Sequence, residues 1–125
     1  MRLFFAAAAI AAVAAAAGSA AAQSQMELNE QAGAELRKSD EKLNAVYNKL
    51  RAKISDAGKR RLLAAQQSWL RFRDQECEFE TMGTVGGSIH SMIVANCLAR
   101  LTDQRVKDLE AQLNCQEGNL SCGGQ

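Results

Sequence analysis

The fold is decided by the stretch WLRFRDQEC at residues 69–77, in which Trp69, Arg73 and Cys77 stand four residues apart. A second set repeats this step: Cys97, Leu101, Arg105 and Leu109. Residues four apart lie on one face of an α-helix, so each set predicts a helix with a defined inner face.

A glycine-containing turn, GGS at residues 86–88, separates the two sets. The chain can reverse there, and the two helices can lie antiparallel as a hairpin. If Cys77 bonds to Cys97, the antiparallel register brings two pairs together: Arg73 with Leu101, and Trp69 with Arg105.

The first 22 residues have the pattern of a signal peptide. Arg2 is followed by an apolar stretch over residues 3–17 and by small residues at 18–22. We predict cleavage before Gln23, which leaves a helical domain over residues 23–113 and a polar tail over 114–125. A retained membrane anchor is the alternative, but the apolar stretch is short for a span of about 20 residues, and no basic stop-transfer cluster follows it. We therefore expect a periplasmic or secreted protein without membrane contact after cleavage.

Removal of the leader leaves a chain without net charge. The full chain has 15 basic and 14 acidic residues, and the leader contains Arg2 alone among them, so 14 of each remain. This balance argues against a nucleic-acid partner. About 100 residues form one small domain with a modest core, which disulfides would stabilise.

The four cysteines follow the leader: Cys77, Cys97, Cys115 and Cys122. An even number in an exported chain favours disulfides. A four-thiolate metal site needs closely spaced pairs, whereas the gaps here are 19, 17 and 6 residues. Three pairings are possible, and chain order with the hairpin favours 77–97 and 115–122. The last pair would close a small loop in the tail. We expect no metal and no cofactor.

Apolar residues recur at helical spacing after the leader, without β-type alternation. The pattern predicts a first helix over residues 26–54. The second starts with Ser55 or Asp56 as its N-cap, and the third starts with Ser88 and runs to about Leu113. We therefore predict an all-α fold: a small three-helix domain with a long first helix and a disulfide-stapled helical hairpin.

Polar and aromatic side chains on the inner faces predict a structural network. Arg105 over Trp69 would form a cation–π pair, and a buried Arg73 needs a carboxylate. Asp40 on the first helix is our candidate, and Asn44 would complete the network. The full set is Asp40, Asn44, Tyr47, Trp69, Arg73 and Arg105. A ligand pocket is the functional alternative, but a thin core leaves little room for one.

No set of side chains forms a recognisable catalytic centre. His90 is the single histidine and lies in the first turn of the third helix, where the helix dipole disfavours its protonated form. Ser88 lacks a G-x-S-x-G elbow. The carboxylates around Cys77 alternate along a helix end and cannot flank one bond: Asp74, Glu76, Glu78 and Glu80. We predict a binding protein and not an enzyme.

Two segments are candidate contacts for a protein partner. The turn over residues 56–61 carries the basic patch Lys59-Arg60-Arg61, which suits an acidic partner. The loop over residues 81–90 ends at His90 and is the second candidate.

Several spaced motifs together resemble one family. They are Ser39-Asp40-x-x-Leu43-Asn44-x-x-Tyr47, Ala65-Gln66-x-x-Trp69-Leu70-x-Phe72-Arg73-x-x-x-Cys77, Gly86-Gly87-Ser88, Cys97 and Thr102-x-x-Arg105-x-x-x-Leu109. This combination covers most of residues 31–113 and is similar to the lysozyme inhibitor LprI-like N-terminal domain, also called DUF1311. Many relatives carry an early cysteine pair that is absent here from residues 24–34. The leader also lacks the cysteine of a lipoprotein.

The resemblance implies a small helical domain with disulfides in an exported bacterial protein. It also implies a function, the binding and inhibition of a lysozyme-type muramidase. The alternative is a non-enzymatic periplasmic structural or adaptor protein, which would bind another exported protein through a helix face.

Overall fold

The computed structural model describes residues 7–116 and 118–123, with side chains from residue 24 onward. Three α-helices follow in order: α1 (Ala7–Lys53), α2 (Asp56–Glu80) and α3 (His90–Leu113). One 3-10 turn, Met82–Thr84, lies between α2 and α3. The described residues contain no strand. The predicted all-α, three-helix fold is confirmed.

The first helix begins at Ala7, whereas the sequence pattern placed its start at residue 26. Alanine is the strongest helix former, so the alanine-rich segment continues the helix without an amphipathic pattern. Periodicity marks only the packed part of a helix, which is why this boundary was wrong. The predicted leader includes residues 1–6, which lie outside the described residues. Among the helices as described, none has both the length and the apolar character that crossing a bilayer requires.

The core lies between α1 and α3, which pack against each other more extensively than either packs against α2. Its buried apolar side chains are Leu43, Val46 and Leu50 of α1, Ile54 directly after α1, and Val106 and Leu109 of α3. The spacing of three or four residues places the α1 side chains on one stripe. Leu62 and Trp69 of α2 cover the edge of this core and are only partly buried. The α1–α3 pair is therefore the main packing unit, and α2 lies against it.

A disulfide between Cys77 and Cys97 attaches α2 to α3. The two Cα atoms are 5.7 Å apart, and both cysteines are buried. The pairing is the predicted one. The predicted antiparallel register of α2 and α3 is also observed. Arg73 reaches Thr102, the neighbour of Leu101, and Arg105 lies over Trp69. Apart from Cys77, the sole buried residue of α2 is Gly58, so this disulfide has a large part in holding α2.

The second helix begins as the sequence indicates. Ser55 Oγ accepts a hydrogen bond from the Gly58 backbone N–H at 3.1 Å. Ser55, and not Asp56, is therefore the N-cap, and Asp56 lies in the first turn.

The third helix begins differently, because Ser88 is not its cap. The helix starts at His90, and the preceding Ile89 makes no side-chain capping bond. Gly86 adopts φ +83°, a conformation that glycine reaches without strain, and it turns the chain before Ser88. The Ser88 carbonyl instead accepts from Asn29 Nδ2 of α1 at 3.2 Å.

The tail forms the second predicted disulfide, Cys115–Cys122. Gln112 Nε2 donates to the Ser121 carbonyl at 2.8 Å, and Gln112 Oε1 accepts from the Gly123 N–H at 2.7 Å. These two bonds fold the tail back onto the last turn of α3.

Candidate functional site

Arg73 is the centre of a polar network that joins all three helices. Its Nη1 donates to Asp40 Oδ1 of α1 and to Thr102 Oγ1 of α3, each at 3.2 Å. Its Nε donates to the neighbouring Asp74 Oδ1 at 3.0 Å. The Arg73 side chain is only 14% exposed, so these oxygens replace the water that the guanidinium loses on burial.

Asn44 lies outside this network, contrary to our prediction. It is exposed, and Thr102, which is fully buried, supplies the neutral oxygen instead. Asn44 lies on α1 one turn beyond Asp40. Because α1 and α2 run antiparallel, this position is no longer at the level of Arg73. There it borders a shallow groove, together with Tyr47, which packs partly against the core.

Trp69 contacts two arginines, of which we predicted one. Arg73 Cζ lies 5.4 Å and Arg105 Cζ 5.8 Å from the indole centroid. Arg105 Nε also donates to Gln66 Oε1 at 3.0 Å. Burial lowers the pKa of the Arg105 guanidinium, and the charge of Asp108 partly offsets this effect.

Sequence reasoning missed Thr102 and Gln66 as members of the network. Both occur in the motifs that carry the family resemblance. Thr102 also lies four residues before the core residue Val106, so it shares the inner face of α3. That spacing was a readable signal, but a threonine in a helix is more easily taken for a surface residue.

We call residues 79–89 the hairpin tip, because they connect the ends of α2 and α3. The tip exposes large apolar side chains at four positions: Phe79, Met82, Val85 and Ile89. Val85 is 72% exposed. Large apolar side chains that are exposed together mark contact sites for other molecules.

Hydrogen bonds hold the hairpin tip in one conformation. Thr81 is buried, and its Oγ1 donates to the Cys77 carbonyl at 2.6 Å. Thr84 Oγ1 donates to the Thr81 carbonyl at 3.0 Å and lies 2.8 Å from His90 Nδ1. His90, which we named as a candidate contact, is thus half-buried and braces the tip.

We call Lys59-Arg60-Arg61, at the start of α2, the basic turn. Lys59 Nζ lies 3.6 Å from Asp56 Oδ1. Arg60 and Arg61 are exposed, and neither forms an ion pair with a described residue. Arg60 borders a shallow groove of about 400 Å³ together with Arg51.

The two predicted contact segments lie at opposite ends of the bundle. From Arg60 to Thr81 the rise along α2 is about 32 Å. One small contact surface cannot include both segments.

Two of the acidic side chains near the tip, Glu80 and Asp74, take part in ion pairs. Glu80 Oε2 lies 2.7 Å from Arg100 Nη2, and Asp74 pairs with Arg73. No group of three or more His, Cys, Asp or Glu side chains is arranged to hold a metal in the described part of the chain. The features that stand out are therefore two surfaces suited to binding.

Comparison with known proteins places this small, disulfide-bonded helical domain in a family. The model of the family described as lysozyme inhibitor LprI matches residues 15–109. The chain belongs to the LprI family. This confirms the resemblance found in the sequence. The family is one of inhibitors, which is consistent with a protein that is not an enzyme.

One similar chain is an uncharacterized protein of Rhizobium meliloti (strain 1021). It is 32% identical over 109 residues, which cover 77% of this chain and 78% of the relative. No solved structure matches the chain.

Proposed function

We propose that this protein binds and inhibits a lysozyme-type muramidase in the periplasm or outside the cell, after cleavage of residues 1–22. The observation that carries the proposal is the family match over residues 15–109. Two disulfides support an oxidising, exported location.

We place the contact at the hairpin tip and not at the basic turn. Interface centres are rich in aromatic and Met side chains and poor in Lys, and the tip presents Phe79, Met82 and Val85. The tip is also fixed by hydrogen bonds and by the Cys77–Cys97 disulfide at its base. A preorganised loop loses little conformational entropy when it binds.

Inhibition would follow from exclusion of the substrate. A lysozyme cleft holds two carboxylates with different protonation states that act on the bound sugar. A narrow, apolar loop that enters the cleft displaces the sugar and requires no chemistry from the inhibitor. The basic turn is the competing surface, since its cations are complementary to those carboxylates.

The test is a muramidase assay with the purified exported protein and two double variants. Met82→Asp with Val85→Asp introduces charge at the tip, and Arg60→Glu with Arg61→Glu reverses the basic turn. All four positions are exposed, and substitutions at exposed positions usually change stability little, so both variants should fold. We expect the tip variant to inhibit about 100-fold more weakly, or about 3 kcal/mol, and the basic-turn variant to change by a few-fold at most.

The reverse pattern would move the contact to the basic turn. A wild-type protein that inhibits none of the c-, g- and i-type lysozymes at micromolar concentration would refute the function itself. Circular dichroism of each variant shows whether the helices are retained.

An adaptor function is the second candidate, and one groove favours it. Between α1 and α2 lies a depression of about 420 Å³, in which Leu63 and Leu70 are exposed and Tyr47 forms one side. Leu63 and Leu70 are two turns apart on one face, the arrangement that accepts the apolar face of a partner helix. Leu63→Asp should then abolish capture of a single exported protein, while the Met82→Asp/Val85→Asp variant retains it. Equal capture by both variants would rule this groove out.

A further inference from the structure

A cavity of about 570 Å³ lies at the end of the bundle opposite the hairpin tip, between the end of α1, the start of α2 and the last turns of α3. Its apolar lining includes Leu50, Ile54 and Leu109, which belong to the core, and Leu62 beside them. The volume falls within the range of sites for small molecules. We call this cavity the basal pocket.

Two cations line the basal pocket, Arg105 and Arg61, and neither lies within ion-pair distance of a carboxylate among the described residues. Arg105 makes one hydrogen bond, from Nε to Gln66, so its Nη atoms make none to a described residue. Neither Arg105 nor Arg61 forms an ion pair with a described residue. The two terminal nitrogens of a guanidinium form a fork that matches a carboxylate in bidentate geometry.

One acidic side chain also lines the pocket, and it does not cancel this charge. Asp108 lies one turn from Arg105, and its Oδ1 accepts from Gln104 Nε2 at 3.1 Å. Two arginines and one aspartate leave a formal charge of +1 at the lining.

The tail forms part of the rim. Gly123 borders the pocket, and its N–H donates to Gln112 Oε1. The Cys115–Cys122 loop therefore holds a backbone wall beside the opening without filling it.

We propose that the basal pocket binds a small aliphatic carboxylate, with its carboxylate on Arg105 and Arg61 and its chain against Leu50, Ile54 and Leu109. The apolar lining selects for the chain, and the unpaired guanidinium groups select for the anion. This site is independent of the muramidase-binding function, because the hairpin tip lies at the far end of the molecule.

The single tryptophan provides a direct measurement, since Trp69 contacts Arg105. We would titrate the purified full chain with octanoate and follow Trp69 fluorescence. 1-Octanol is the probe without charge, and acetate is the probe without a chain. We expect saturable binding of octanoate and binding at least about tenfold weaker for the other two, a factor of ten being about 1.4 kcal/mol. Equal binding of 1-octanol would overturn the role of the arginines.

Two alanines on α2 provide a matched pair of variants. Ala65 lines the pocket and Ala64 does not, although both are exposed. Ala65→Phe should obstruct the pocket and weaken octanoate binding about tenfold or more, while Ala64→Phe should bind as the wild type does. Equal effects of the two variants, or no saturable octanoate signal up to millimolar concentration, would overturn the proposal. Fluorescence of Trp69 without ligand and circular dichroism report whether each variant is folded.

Discussion

At the scale of single residues, Arg73 shows how a small domain can bury a charge. The guanidinium is nearly buried, whereas its partners Asp40 and Asp74 are 45% and 56% exposed in their side chains. Both carboxylates therefore keep part of their hydration, and the arginine depends on them and on Thr102. Truncation of the arginine is more informative than truncation of either carboxylate, because it removes every contact at once.

We predict that Arg73→Ala lowers the free energy of unfolding by about 2–3 kcal/mol. The change removes a partly buried ion pair, the bond to Thr102 and one cation–π contact with Trp69. Urea denaturation followed by circular dichroism measures this directly. Asn44→Ala is the control and should change stability by no more than about 0.5 kcal/mol, as exposed substitutions do. A larger loss at Asn44 than at Arg73 would contradict the observed network.

Arg105 should behave differently, because burial without an ion pair disfavours its charge. The lowered pKa of Arg105 has the same origin. We predict that Arg105→Met, which keeps an apolar stem over Trp69, is destabilising by less than about 1 kcal/mol. Arg105→Ala also removes that packing, so it should lower the free energy of unfolding by about 1 kcal/mol more than Arg105→Met does. Thermal unfolding of the two variants side by side tests the order, and a more stable alanine variant would contradict it.

The sequence predicted part of the network for a clear physical reason. A buried arginine needs an anion, and Asp40 lies on the inner face of the first helix, so the Asp40–Arg73 pair could be inferred. The role of Thr102 depends on how deeply α3 lies between the other helices. Helical spacing places Thr102 on the inner face of α3, but it does not show that the hydroxyl reaches Arg73 of another helix.

At the scale of helices, the two serines near helix starts illustrate what local sequence can decide. A single residue separates Ser55 from the end of α1, so Ser55 can lie only at the start of α2. Ser88 lies in a longer connection, where Gly86 and the contact with Asn29 set the path of the chain. Capping could be predicted at the first site and not at the second.

We predict that Ser55→Ala lowers the stability by about 1 kcal/mol, the usual effect of losing an N-cap. Ser88→Ala is the matched control and should stay within about 0.5 kcal/mol, because the Ser88 side chain caps no helix. Midpoints of thermal unfolding by circular dichroism distinguish the two. Equal losses would show that Ser88 has a capping role in solution.

The same contrast explains the helix boundaries. The start of α2 and the end of α3 were predicted correctly to within about two residues, the usual uncertainty of helix ends. The start of α1 was not, because the alanine-rich segment is strongly helical but presents no apolar stripe.

At the scale of the whole molecule, α3 is central and α2 is peripheral. The apolar stripe of α1 could be read from the sequence, but which helix it faces could not. Both α2 and α3 carry residues four apart, and only the structure shows that Val106 and Leu109 meet the stripe. Because α2 buries few side chains, the Cys77–Cys97 disulfide has a large part in holding it against the other two helices.

We predict that the two disulfides differ in their effect on global stability. Cys77→Ala with Cys97→Ala opens a link with a sequence separation of 20, and the loss should be about 3 kcal/mol. The tail link has a separation of 7, for which chain entropy alone gives about 2.4 kcal/mol. It encloses only residues after α3, so its removal should shift the urea midpoint of the helices much less. Comparable shifts would show that the tail folds together with the bundle.

The Cys77–Cys97 link also has a consequence for resistance to proteases. The hairpin tip is the longest connection between the helices and the most exposed, which makes it the natural point of attack. A cut there adds one water molecule, but the Cys77–Cys97 disulfide still joins the fragment that contains α1 and α2 to the fragment that contains α3. Such a nicked protein would run as one species on a gel without reductant and separate into two only when reductant is added.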